Sequence, residues 1–221
     1  MINIFIILKD YLRYFLICFW FLKTSLILSQ ENFTPNKITD NQITLDGYLN
    51  EEFWSSAAKV PFDIEFSPAN NEPSRIKTFG YISYSKEFIY VGIDAKVDPK
   101  NIRASVRQRD DMNMLNDDFI ALRFDTFRDA RNNIVLGVNA LGSQLDARQI
   151  NEISEDKRYD ISFNINFQSF GNIVEDGYQI EMKIPFSEIE FPNGNDQTWH
   201  FNFYRRYFED GNVIELSSQI R

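Results

Sequence analysis

The sequence predicts an all-β chain: an antiparallel β-sandwich of jelly-roll-like topology, preceded by an N-terminal signal segment. Three observations carry that expectation. Apolar and polar residues alternate with a period of two along many short stretches, the pattern of strands with one buried and one wet face. Turn residues separate these stretches at short intervals and no long segment has a 3.6-residue period, so the sheets must cover one another. Rings are abundant, with 21 Phe, 10 Tyr and 3 Trp in 221 residues, and they pack well on a pleated, half-buried surface.

Along the chain, residues 1–29 read as a secretory signal. Lys9 and Arg13 supply positive charge, residues 14–22 a short apolar run, and TSLILSQ a small residue at Ser29, after which cleavage is expected. Lys9, Asp10, Arg13 and Lys23 interrupt the apolar character, so no unbroken run approaches the roughly 20 residues of a spanning helix. Cys18 lacks the small residues that precede a lipidated cysteine. Residues 30–42 form a polar leader with Pro35, Asn36 and Asn41. Residues 43–221 then form the sandwich. Residues 50–58 are the one helical candidate, with Asn50 as N-cap.

The alternation predicts strands over 76–84, 88–97, 120–125, 134–140, 144–149, 161–167, 178–184 and 199–208. In 161–167, Ile161, Phe163, Ile165 and Phe167 alternate with Ser162, Asn164 and Asn166; Tyr178, Ile180, Met182 and Ile184 repeat the pattern. Phe163, Ile165, Ile180 and Met182 are therefore expected to face inward. Trp199, Phe201 and Phe203 share another inward face. Turn residues at 85–87, 98–99, 128–133, 142–143, 175–177 and 193–195 separate the strands.

Composition narrows the chemistry. Hydrophobic residues make up 43% and charged residues 25%, as in ordinary globular domains. The net charge is −9, and removing residues 1–29 takes away Lys9, Arg13, Lys23 and Asp10 and deepens it to −11. That sign repels phosphate backbones and disfavours nucleic acid. Cys18 is the only cysteine, which excludes disulfide scaffolds, thiol catalysis and cysteine-based zinc from the mature chain. His200 is the only histidine, so a His-rich metal site cannot be built.

Seven blocks stand in order: LDGYLNEEFW at 45–54, YVGIDAKVDPKNI at 90–102, RQRDD at 107–111, DFIALRFDTFRDARN at 118–132, VNALGSQLD at 138–146, EDGYQIEMKIPFSEIEFP at 175–192 and WHFNFYRR at 199–206. Together they resemble the family 9 carbohydrate-binding module, in the version that opens large exported bacterial proteins. The resemblance covers residues 43 to about 208. It implies a sandwich that binds poly- or oligosaccharide without catalysis, with structural calcium in some members. It also implies a longer surface protein, whose further C-terminal region would carry any association with the outer membrane. Where this version of the family has Trp, the chain has Tyr159, Phe163 and Tyr178, so a two-tryptophan clamp is not expected.

Candidate contacts lie within these blocks. Arg107, Arg109, Asp110, Asp111, Asp117 and Asp118 form the most charged stretch; its forks and carboxylates suit sugar hydroxyls or calcium, or a solvated loop with ion pairs. Arg123 and Asp125 share one strand face near Asp129 and Arg131, and Gln144, Asp146 and Arg148 share another. The expected site is Arg109, Asp118, Gln144 and Asp146 for polar contacts, with Tyr159 as the stacking ring. Trp54 reads as core beside Phe53, and Trp54 and Tyr178 stand next in line as sugar platforms. No catalytic pair is assigned. Three alternatives stay open: a carbohydrate-active hydrolase, a haem-binding sandwich using His200, Met112, Met114 or Met182, and a purely structural module.

Overall fold

The alternating stretches become strands, fourteen among the described residues, gathered into two sheets. The computed structural model describes residues 33–39, 43–151, 154 and 158–218; residues 1–29, expected to be a signal segment, lie outside them. The strands are β1 (Asn36–Lys37), β2 (Ala58–Pro61), β3 (Ile64–Ser67), β4 (Glu72–Pro73), β5 (Thr78–Tyr84), β6 (Phe88–Lys96), β7 (Phe119–Asp125) and β8 (Asn132–Asn139), followed by β9 (Gln144–Ile150), β10 (Tyr159–Asp160), β11 (Gln168–Val174), β12 (Gly177–Pro185), β13 (His200–Glu209) and β14 (Asn212–Ser217). The first sheet runs β1-β5-β6-β12-β11, with β2 also paired to β5; the second runs β10-β9-β8-β7-β13-β14-β3-β4. Every pairing is antiparallel except β1 with β5.

The core lies between the sheets. Ile89, Val91 and Ile93 of β6 and Ile180, Met182 and Ile184 of β12 meet Ile120, Leu122 and Phe124 of β7, Leu136 and Val138 of β8, and Phe203 of β13. Each set is the apolar half of an alternating strand. Two smaller clusters sit outside the sandwich. Phe53, Trp54, Ala57 and Tyr90 cover the first sheet, and Met114, Phe119, Ala121, Val135, Leu145, Ala147 and Tyr204 cover part of the second.

The expected strands appear within a few residues of their predicted bounds, with one correction. Residues 161–167 form no strand. Ile165 and Phe167 are buried and Phe163 packs partly on the core, but Ile161 is exposed. The segment is extended, so its side chains still alternate, but its hydrogen bonds go to side chains instead of a neighbouring strand: Asp146 takes the Ile165 N–H and Glu188 the Asn166 N–H. The helix is also shorter than expected. It covers Glu52–Ser56 (α1), and Glu51, not Asn50, holds the cap position without a side-chain bond. No helix among the described residues is long and apolar enough to cross a membrane.

Candidate functional site

Register decides which way the expected polar residues point. Val138, Leu136 and Ile134 of β8 stand opposite Gln144, Asp146 and Arg148 of β9. Cross-strand partners share a face, so these polar side chains turn to the core side, not to water. There they hold residues 163–167. Asp146 accepts the Ile165 N–H at 2.6 Å, Gln144 Nε2 donates to the Phe167 carbonyl at 3.0 Å, and the Arg148 guanidinium lies 4.3 Å from the Phe163 ring centre. Arg109 closes the group. Its Nη2 donates to Asp146 Oδ1 at 2.6 Å and to the Ile165 carbonyl, and its Nη1 to Gln144 Oε1 at 2.9 Å. Burial raises the Asp146 carboxyl above its ordinary range, against the pull of the Ile165 N–H and Arg109. Arg109, Gln144 and Asp146 do come together, but as a clamp on the chain's own backbone.

The other expected residues lie apart from that clamp. Asp118 is fully buried, its Oδ2 accepts the Arg103 N–H at 2.8 Å, and burial pushes it up to about 6. Tyr178 is enclosed in the core with its ring 5.2 Å from the Arg205 guanidinium, so it offers no platform. Trp54 is core, at 4% exposure. Its Nε1 donates to Glu181 Oε1 at 3.0 Å, while Glu181 Oε2 accepts the N–H groups of Asp46 and Gly47 at 2.9 and 2.8 Å. Glu181 thus anchors the 45–54 block to the first sheet, and burial pushes it up to about 7. Tyr159 alone keeps its expected setting: it is 45% exposed, opposite Gln149 of β9.

The carboxylates of residues 107–118 do not converge on a cation. Asp117 takes two bonds from Arg107 at 2.7 Å each and one from Asn139 at 2.8 Å. Asp111 accepts the Asn113 N–H, and Asp110 the Asp146 N–H. No group of three or more His, Cys, Asp or Glu placed to hold a metal occurs among the described residues, so this run does not fit calcium. The haem candidates are scattered as well. Met182 lies in the core, Met114 in the cluster outside the second sheet, and His200 beside Asp125 at 3.7 Å.

The outward face of the second sheet is different. Its floor is made of small side chains, Ala121, Val135, Gly137 and Ala147, on adjacent strands. Gly137 has no choice: a Cβ there would come within 2.4 Å of the Phe119 ring. Tyr204 rises from β13 opposite Ala121, with Phe66 beside it at 6.0 Å between ring centres and 37% exposed. Tyr204 is braced: its hydroxyl donates to Glu215 Oε1 at 2.5 Å, and Arg206 donates to that same hydroxyl at 3.1 Å. Its burial raises the phenol well above its ordinary range. Residues 112–116 pack over one end of the face through Met114.

Two polar groups on this face have unused bonding capacity. Arg123 is half-buried, its guanidinium 5.5 Å from the Tyr204 ring centre, and its enclosed Nε has no hydrogen-bond partner. Gln149 donates to Asn151, but its buried Oε1 accepts nothing. Buried polar atoms are ordinarily satisfied. Ala121, Val135, Ala147 and Tyr204 are themselves buried, each at 9% exposure or less, so a ligand meets the rim of this face, where the Phe66 and Tyr159 rings are exposed and Arg123 is half-buried. That rim is the candidate binding site. Sequence reasoning placed Arg123 on a polar face but missed Tyr204, Phe66 and Gln149. The strand period alone carried them, and it cannot say which wet face binds.

No family model matches the sequence, and no curated protein matches it either. Similarity appears in three dimensions. The chain superposes on a family 9 carbohydrate-binding module from Caldicellulosiruptor kristjanssonii in complex with glucose, with a TM-score of 0.56 at 15% identity over 82% of this chain and 83% of that one. The module in complex with cellotriose gives 0.57 at 15% identity, over 83% of each chain. A Bacteroides uniformis protein assigned as carbohydrate-binding gives 0.53 at 12% identity, over 83% of this chain and 90% of that one. At such identities the likeness is one of fold: the chain has the sandwich of these modules.

Proposed function

We propose that this chain is a carbohydrate-binding module that holds a saccharide on the outward face of its second sheet. The observation that carries the reading is the shared sandwich, over about four-fifths of the chain, with modules seen holding glucose and cellotriose. The face adds the required chemistry. The exposed rings of Phe66 and Tyr159 offer apolar surface for the C–H faces of sugar rings, and the half-buried Arg123 offers a guanidinium to their hydroxyls. Titrating the purified chain with glucose, cellotriose and a wider glycan panel, followed by calorimetry or NMR, tests it. Saturable binding that Phe66→Ala or Tyr159→Ala, both at exposed rings, weakens by tenfold or more is the expected result; no binding across the panel overturns it.

Export belongs to the same reading, supported by Lys9, Arg13 and the apolar run after them. The mature chain should begin near Gln30. N-terminal sequencing of the exported protein checks this, and a mature chain that starts at Met1 would contradict it.

A further inference from the structure

We infer that the site prefers acidic saccharides, with Arg123 receiving the carboxylate of a uronic acid. This rests on the reading of the outward face of the second sheet as the saccharide site, and it names the class of sugar. The starting observation is a cation without a counterion. Among the described residues, the Arg123 side chain makes no ion pair and no hydrogen bond, and its Nε is enclosed. Arg75, Arg107, Arg109 and Arg206 are matched with Glu65, Asp117, Asp146 and Glu215; Arg103 and Arg148 lie over the Phe208 and Phe163 rings, and Arg205 is fully buried beside Tyr178 and Tyr207, out of a ligand's reach.

The carboxylates of Asp125 and Glu215, on the same sheet, are already used. Asp125 shares its strand face, but accepts the N–H groups of Asp129 and Ala130 at 3.3 and 3.0 Å and faces His200. Glu215 is held by Tyr204 and Arg206. Directly across the ladders Arg123 meets Val135 and Asn202, neither of them charged. A guanidinium held over a ring is a planar fork, and a carboxylate is the partner that fills a fork with two parallel bonds. A hydroxyl fills only one arm and leaves the charge unmatched.

The chain's own charge of −9 opposes the approach of long polyanions at low salt. At physiological ionic strength the Debye length is about 8 Å, so short oligomers meet the local fork more than the distant field. The test titrates the wild-type chain at that ionic strength with glucuronate and galacturonate oligosaccharides and with the matching glucose and galactose oligomers. A preference of at least tenfold for the acidic forms is expected. Arg123→Gln should abolish that preference, weakening the acidic forms by at least tenfold more than the neutral ones, and Arg123→Lys should restore part of it. Equal affinity of the wild type for acidic and neutral forms overturns this inference and leaves carbohydrate binding standing. An acid preference that survives in Arg123→Gln also overturns it. No binding of either class overturns both.

Discussion

At the scale of single residues, the acidic side chains hold structure more than they wait for ligands. Asp146 is the clearest case, because it lies buried between Arg109 and the backbone of residues 163–167. Asp146→Ala strands a guanidinium and an N–H and should cost about 3–5 kcal/mol, as breaking a buried pair does. Arg109→Ala instead leaves the buried Asp146 without its counterion, a cost limited by protonation of a carboxyl that burial already raises. Denaturant melts measure both, and sugar affinity should not follow either loss. Glu181 adds a pH dependence. Its ordinary value is 4.5 and burial lifts it to about 7 in the folded chain. A raised acid binds its proton more tightly when folded, so its stabilisation is full below about 4.5 and is lost as pH rises through about 7. The stability difference between wild type and Glu181→Gln should therefore shrink between pH 4.5 and 7.5. A gap that widens over that range would mean the carboxylate is ionised throughout, held so by its three N–H donors.

At the scale of elements, the strands that alternate strictly were legible, and those that do not were lost. β6, β7, β12 and β13 each carry three or more inward apolar residues, and the period exposes them. β11 was invisible because Phe170 and Ile173, three residues apart, fall on opposite faces and stay half-exposed at a sheet edge, and Gly171 interrupts the middle. The β13–β14 hairpin was legible but overlooked. Asp210 and Gly211 both take positive φ, 49° and 83°, the two-residue turn that an Asp-Gly pair between apolar stretches signals. Residues 161–167 misled for a physical reason. An extended segment whose backbone is satisfied by Asp146, Gln144 and Glu188 shows the same alternation as a paired strand. Its two halves should also respond differently. Ile165 is fully buried, so Ile165→Ala should cost about 2–5 kcal/mol. Phe163 is only partly buried and leans on Arg148, so Phe163→Ala should cost clearly less than a fully buried ring would. A reversal of that order in melting experiments would show that the segment is anchored at Phe163 instead.

At the scale of the whole molecule, fold and site differ in how far the sequence discloses them. The fold rests on a distributed signal, many strands with one apolar side each, and errors in one strand leave the two-sheet arrangement intact. The site depends on register. Gln144, Asp146 and Arg148 read as a wet face, yet pairing with Val138, Leu136 and Ile134 turns them inward. No feature of β9 alone reveals that. The same topology puts the tryptophans away from the proposed site. Trp54 is bolted to Glu181 on the outward side of the first sheet, and Trp199 packs on the core among Phe124, Phe186 and Phe191. Saccharide bound beside Tyr204 is separated from Trp54 by the full thickness of the sandwich, two sheets about 10 Å apart. In an NMR titration of the full chain, the indole N–H signals of Trp54 and Trp199 should stay still while the Arg123 guanidinium and Tyr204 ring signals move. If the Trp54 signal shifts in proportion to occupancy and those of Arg123 and Tyr204 do not, the ligand sits on the first sheet against the 45–54 block. The second sheet's outward face would then be a wet surface with one unmatched arginine.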